Sequence, residues 1–194
     1  MKKKKTGLFF GSFNPVHIGH LIIANCMLEN GGLDKVMFVV TPQNPLKASK
    51  NLLHGFDRLD MVRAAVADNY KFEVSDVEFH LPKPSYTAYT LAYLSEKHPD
   101  REFVLIIGED NLKNFGKWKN HSQILEHYKL YVYPRPQVTK PERVRHPNIK
   151  VIEAPLLDIS ATFIRKSIRN NKSIRYLVPE PVEQMIKSRG FYLS

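Results

Sequence analysis

Apolar residues along this chain fall in short unbroken runs rather than in strict alternation. Gly7-Leu8-Phe9-Phe10, Lys35 to Val40, Phe72-Glu73-Val74, Glu102 to Ile107, Lys129 to Tyr133 and Ile149 to Glu153 each read as a strand. Between them lie segments with the spacing of a helix face. The clearest runs from Phe56 to Val66, with apolar residues at 56, 59, 62, 65 and 66. Leu21 to Leu28, Thr87 to Lys97, Ala161 to Arg169 and Pro181 to Ser188 follow the same rule.

A strand apolar at every position is buried on both faces. When each such strand is followed by a helix, the helices must cover both sides of a parallel sheet. The expected fold is therefore α/β: a single Rossmann-like, doubly wound, mainly parallel sheet with helices on both faces and a small helical C-terminal part. No repeat or interdomain linker interrupts the pattern, so residues 1–194 read as one domain. In such sheets ligands bind beyond the C-terminal strand ends, where strand order reverses. Three segments of unusual chemistry fall at those ends: Gly11 to His20, Thr41 to Lys47, and Gly108-Glu109-Asp110. The stretch from Thr41 to His54 is longer than an ordinary strand–helix connection and suits a substrate loop. Pro134 to Pro147, with Arg135 between two prolines, is a second long loop, equally compatible with loop variation that carries no function.

Gly11-Ser12-Phe13-Asn14-Pro15-Val16-His17-Ile18-Gly19-His20 joins the first strand to the first helix. Small residues let backbone N–H groups approach an anion, and a helix N-terminus adds partial positive charge. His17 and His20 are three apart, so on a helix they converge on one group. Metal ligation is the competing reading, but the single cysteine, Cys26, lies deeper in the helix and no neighbouring carboxylate completes a ligand set. Phosphate binding is the better fit.

Charge sharpens this picture without deciding it. The chain carries a formal net charge of +10. Part of that is the Lys2–Lys5 run, readable as a solvated tail, and part is a basic C-terminal region with seven Lys/Arg against two Asp/Glu from 160 onward. A nucleic-acid-binding module and an enzyme holding several phosphates both show such a balance. No apolar run approaches the ~20 residues of a membrane span. One cysteine fits a reducing compartment, so the expected location is cytoplasmic.

The pattern Gly-x-Phe-x-Pro-x-His-x-Gly-His resembles the signature of the HxGH nucleotidyltransferase superfamily. Far downstream, Ile159-Ser160-Ala161-Thr162-Phe163-Ile164-Arg165 is similar to the element that completes the triphosphate site in the bacterial nicotinate mononucleotide adenylyltransferases. Thr41 to Lys47, Pro84 to Thr90, Ile107 to Leu112 followed by Trp118, and Tyr176-Leu177-Val178-Pro179 resemble further elements of that family. The likeness spans nearly the whole chain.

This resemblance implies transfer of the adenylyl group of ATP to nicotinate mononucleotide, giving deamido-NAD and pyrophosphate. It makes His17, His20 and Arg165 the catalytic residues. ATP would lie against the backbone of Gly11, Ser12 and Phe13, with Ile159, Ser160, Gly108 and Asp110 around it. Thr87 and Trp118 would surround the pyridine ring, and Lys47 and Arg135 the mononucleotide phosphate. Mg²⁺ would arrive through substrate phosphates rather than a protein metal site, and the partners would be these small molecules, not nucleic acid or membrane. Two positions depart from the family pattern. Asn14 stands where many relatives carry Asp, weakening any role there in binding Mg²⁺, and Ala161 replaces a common serine. Phosphopantetheine adenylyltransferases and the glycerol-phosphate or choline-phosphate cytidylyltransferases share the first signature but not the Ser-Tyr-Thr and tryptophan elements. Oligomeric state has no signature in the chain.

Overall fold

The computed structural model describes residues 3–42, 52–136 and 146–193. Six strands form one sheet: β1 (Lys4–Gly11), β2 (Lys35–Val40), β3 (Phe72–Ser75), β4 (Arg101–Gly108), β5 (Lys129–Tyr133) and β6 (Ile149–Val151). All pairings are parallel, in the order β3-β2-β1-β4-β5-β6. The chain winds outward from β1 to β3, returns to β4 beside β1, and winds outward again. The strand order thus reverses between β1 and β4, the place where this architecture opens a crevice.

The unbroken apolar runs divide by parity. Phe9, Phe38, Val40, Val104, Ile106, Tyr131 and Tyr133 pack on one face with α1 (Ile18–Glu29), α2 (Gly55–Val66), α7 (Ala161–Arg169) and α8 (Glu180–Arg189). Leu8, Met37, Val39, Leu105, Ile107, Leu130 and Val132 pack on the other with α4 (Thr87–Lys97) and α6 (His121–His127). Leu8, Leu105 and Leu130 are wholly enclosed. Burial of that kind stabilises by about 1.5–3 kcal/mol per side chain.

The parallel sheet and the five long helices agree with the sequence reading. Three short helices do not appear in it: α3 (Val77–His80), α5 (Glu109–Lys113) and α6, with a 3-10 turn at Phe115–Lys117 between the last two. Each has too few turns to display a periodic face. The lysine run is also only partly a tail. Lys4 and Lys5 belong to β1, pairing with Arg101 and Glu102, and the Lys5 N–H donates to Asp34 Oδ2 at 2.7 Å.

Candidate active site

The turn after β1 is bent tightly around its own aromatic residue. Phe13 has a left-handed φ of +45° and its ring is buried beneath Gly11. A Cβ at position 11 would lie 2.8 Å from that ring, so only glycine allows the closure. His17 then caps α1. Its N–H donates to His20 Nδ1 at 3.2 Å, and the two imidazoles lie 3.7 Å apart, tilted by 32°. Because Nδ1 of His20 accepts, the ring proton sits on Nε2, which leaves His20 a hydrogen-bond donor at the crevice. Burial lowers the pKa of His17 to about 4, with the nearby Arg135 charge adding to the effect. Burial, then His17 and Arg135, hold His20 well below its ordinary value too. Both rings are neutral donors or acceptors near pH 7.

Two arginines fix this turn from behind and from above. Arg58, on α2, is completely enclosed and donates to the carbonyls of Ser12, Thr41, Pro42 and Leu53 at 2.5–2.9 Å. Those bonds engage the carbonyls that follow β1 and β2, and burial lowers the Arg58 pKa without discharging it. Arg165 reaches down from α7. Its Nη1 donates to the Asn14 carbonyl at 2.6 Å and its Nη2 to Thr162 Oγ1 at 3.2 Å, while Nε is buried without a partner. Asn14 is itself buried. Its Oδ1 accepts from the Tyr192 hydroxyl at 2.9 Å and from the Leu53 N–H at 3.2 Å. That side chain is structural glue. Among the described residues no group of three or more His, Cys, Asp or Glu is placed to hold a metal ion.

Across the crevice, β4 ends at Gly108, which precedes α5 in extended conformation. A Cβ there would collide with Asp110 Oδ1 and come within 3.2 Å of Arg135 Nε. Asp110 pairs with Arg135 Nε at 3.5 Å. Arg135 also donates from its backbone N–H to Glu109 Oε2 at 3.0 Å and from Nη2 to the Tyr133 hydroxyl at 3.2 Å. Ser160 caps α7, its Oγ accepting from the Phe163 N–H at 3.2 Å. The α1 start is tied down from the far end of the chain, Ile18 N–H donating to the Leu177 carbonyl at 3.0 Å.

Some of these side chains line two neighbouring clefts, while Gly108, Asp110 and Arg165 line neither. One holds His17, His20, Arg135, Ile159 and Ser160. The other holds Gly11, Ser12, Thr87 and Trp118, with Glu78, Ser85 and Lys119 at its walls. Phe9 and Tyr133 border both, so the clefts adjoin at the β1–β4 reversal. Trp118 is half-buried, its ring 5.5 Å from that of Phe115. Arg135 stands with the histidines rather than beside Thr87 and Trp118, while Phe13 contributes its backbone position only, its ring being core. Lys47 lies outside the described residues. Sequence reasoning missed Arg58, Glu78, Lys119 and Tyr133. For Glu78 and Lys119 a signal existed, since each flanks a family-like element; Arg58 sits in a helix pattern that gives it no distinction.

A family model described as Cytidylyltransferase-like matches residues 8–167, a span that covers most of the sheet and the histidine turn, and so sets the class: a nucleotidyltransferase. A Cytophaga hutchinsonii protein named "Probable nicotinate-nucleotide adenylyltransferase" is 60% identical over 188 residues, 97% of this chain and 98% of that one. A Flavobacterium johnsoniae protein of the same name is 52% identical over 191 residues, again 97% and 98% of the two chains. Among solved structures, the Plasmodium falciparum nicotinic acid mononucleotide adenylyltransferase complexed with NaAD has the same fold, with a TM-score of 0.83 at 18% identity over 97% of both chains. The chain belongs to the nicotinate-nucleotide adenylyltransferase family.

Proposed function

We propose that this protein transfers the adenylyl group of ATP to nicotinate mononucleotide, forming deamido-NAD and pyrophosphate, as a single-domain cytoplasmic enzyme of NAD biosynthesis. One observation carries the reading. Two clefts of different chemistry meet at the strand reversal, one polar and flanked by the α1 and α7 N-termini, the other aromatic and polar-floored. The names of the relatives point to the same pair of substrates.

The chemistry asks little of the protein beyond placement. The mononucleotide phosphate is already the nucleophile, being largely dianionic near neutral pH with a second pKa of about 6. It must meet the α-phosphorus in line, with the pyrophosphate leaving opposite. Neutral His20 donates through Nε2 to phosphate oxygen. His17 keeps that imidazole in its tautomer through the backbone N–H. Ser160, the N-cap of α7, and Arg165, one turn further along it, would take the β- and γ-phosphates, where the helix end adds positive potential. Gly108 and Asp110 would bound the adenosine, and Arg135, in the histidine cleft, would take the mononucleotide phosphate, the role that the family resemblance also gives to Lys47. Thr87 and Trp118 hold the pyridine ring.

Magnesium fits as a companion of ATP. With Asn14 Oδ1 occupied by Tyr192 and Leu53 and Asp110 paired to Arg135, the described residues offer no carboxylate cage, and the ion would be held mainly by phosphate oxygens and water. When bound it neutralises charge on the departing pyrophosphate. The test is kcat/KM for nicotinate and nicotinamide mononucleotides at fixed ATP. A clear preference for nicotinate is expected; equal values or the opposite preference would overturn the assignment.

A further inference from the structure

Among the described residues the Arg165 guanidinium has two hydrogen-bond partners, and they do different work. Thr162 Oγ1, which takes Nη2, lies one turn back on the same helix and moves with it. That bond cannot fix the guanidinium against the rest of the site. The Asn14 carbonyl, which takes Nη1, can, because it belongs to the turn after β1. The aim of Arg165 therefore depends on where Asn14 sits. Asn14 is held in turn through its side chain, whose Oδ1 accepts from the Leu53 N–H and from the Tyr192 hydroxyl. Tyr192 lies beyond α8 and lines neither cleft. Its backbone has a φ of +65°, an unfavourable conformation for a bulky side chain and one that persists only where the surroundings impose it. Packing explains the buried ring but not the hydroxyl, since phenylalanine would fill the same space.

We propose that Tyr192 is a positioning residue for adenylyl transfer: its hydroxyl, acting through Asn14, sets the guanidinium of Arg165 against the triphosphate. This deepens the reading of Arg165 given above and rests on it. The relay is short. Tyr192 donates to the Asn14 side chain at 2.9 Å, Arg165 donates to the Asn14 carbonyl at 2.6 Å, and one residue joins the two bonds. Burial pushes the Tyr192 pKa above its ordinary value, against the pull of Arg165 and Arg58, so the hydroxyl keeps its proton and remains a donor. Without it, Oδ1 keeps the Leu53 N–H, a weaker tether at 3.2 Å, and the Asn14 peptide is free to shift. Arg165 Nε, buried and without a partner, would shift with the rest of the guanidinium. A misplacement of about 1 Å at a reacting centre can cost on the order of a hundredfold in rate, so a small drift is enough to matter.

The experiment is a double-mutant cycle, measuring kcat and both KM values for wild type, Tyr192→Phe, Arg165→Ala and the double variant. Tyr192→Phe keeps the ring and is expected to lower kcat about tenfold, the scale of one hydrogen bond, while each KM moves less than about twofold. In the Arg165→Ala background the same change should lower kcat by less than about twofold, because the group it aims is gone. Asn14→Ala deletes the bond from the acceptor's side and leaves the backbone carbonyl for Arg165. It should reproduce both the loss and its disappearance, and it decides the matter if Tyr192→Phe does not fold. Equal losses in the two backgrounds would make Tyr192 a general support of the fold and overturn the proposal, as would unchanged kcat in folded Tyr192→Phe. Wild-type enzyme that transfers no adenylyl group to nicotinate mononucleotide would instead remove the proposed function, and near-native kcat in Arg165→Ala would remove the role of Arg165.

Discussion

The two clefts that meet at Phe9 and Tyr133 are built by opposite means. Around the histidines, the polar groups are preorganised by other parts of the protein: His17 N–H on His20, Arg165 on the Asn14 carbonyl, Asp110 on Arg135. Around Trp118, the walls are faces and edges of rings, with Glu78 and Ser85 among the polar lining. The difference matches what each must do. Charge that develops during a reaction rewards groups fixed in advance, whereas a flat aromatic ring needs only a surface that excludes water.

If that contrast is right, the clefts respond differently to damage. The largest effect belongs to the polar side. His20→Ala and Arg165→Ala should each lower kcat on the order of a hundredfold, with smaller changes in ATP binding, because their contribution is greatest in the transition state. Near-native turnover in a folded variant would remove that residue from the assignment. Next in size is a pH effect on stability confined to the histidine cleft. The unfolded chain takes up protons at histidine below about pH 6.5, while folded His17 resists until about pH 4. Stability is therefore fully present above 6.5 and is lost as pH falls toward 4. Urea titrations should show a loss of about 2 kcal/mol from this residue between pH 6.5 and 5, absent in His17→Asn. Parallel pH slopes in the two proteins would contradict the burial argument. The smallest effect falls on the aromatic side. Trp118→Ala should raise KM for the mononucleotide about tenfold, the scale of one stacked ring, and leave KM for ATP in place. A matching rise for ATP would mean that the clefts are not separate.

Much of this arrangement was legible in the chain because it is local. Residues 103–107 are apolar at consecutive positions, as expected of a strand buried on both faces, and the glycines and histidines of the first turn declare their chemistry at fixed spacing. Features that depend on distant packing were not. Asn14 reads as a missing carboxylate, yet its work is a hydrogen bond from Tyr192 near the other end of the chain. Arg135 reads as a loop cation, and only folding reveals its pairing with Asp110 beside the histidines. Helices α3, α5 and α6, of four to seven residues, are positioned by their surroundings more than by their own periodicity.

Arg58 also bears on the order in which the site is assembled. Its four acceptors come from the turn after β1, the end of β2 and the approach to α2. Until α2 docks with its guanidinium in place, those carbonyls have no common partner and the 11–20 turn has no reason to keep its shape. The site is then a late product of folding, completed only with the core beneath it. Amide hydrogens of the 11–20 turn and of α2 should therefore exchange through one shared opening, so that the protein holds either the whole turn or none of it.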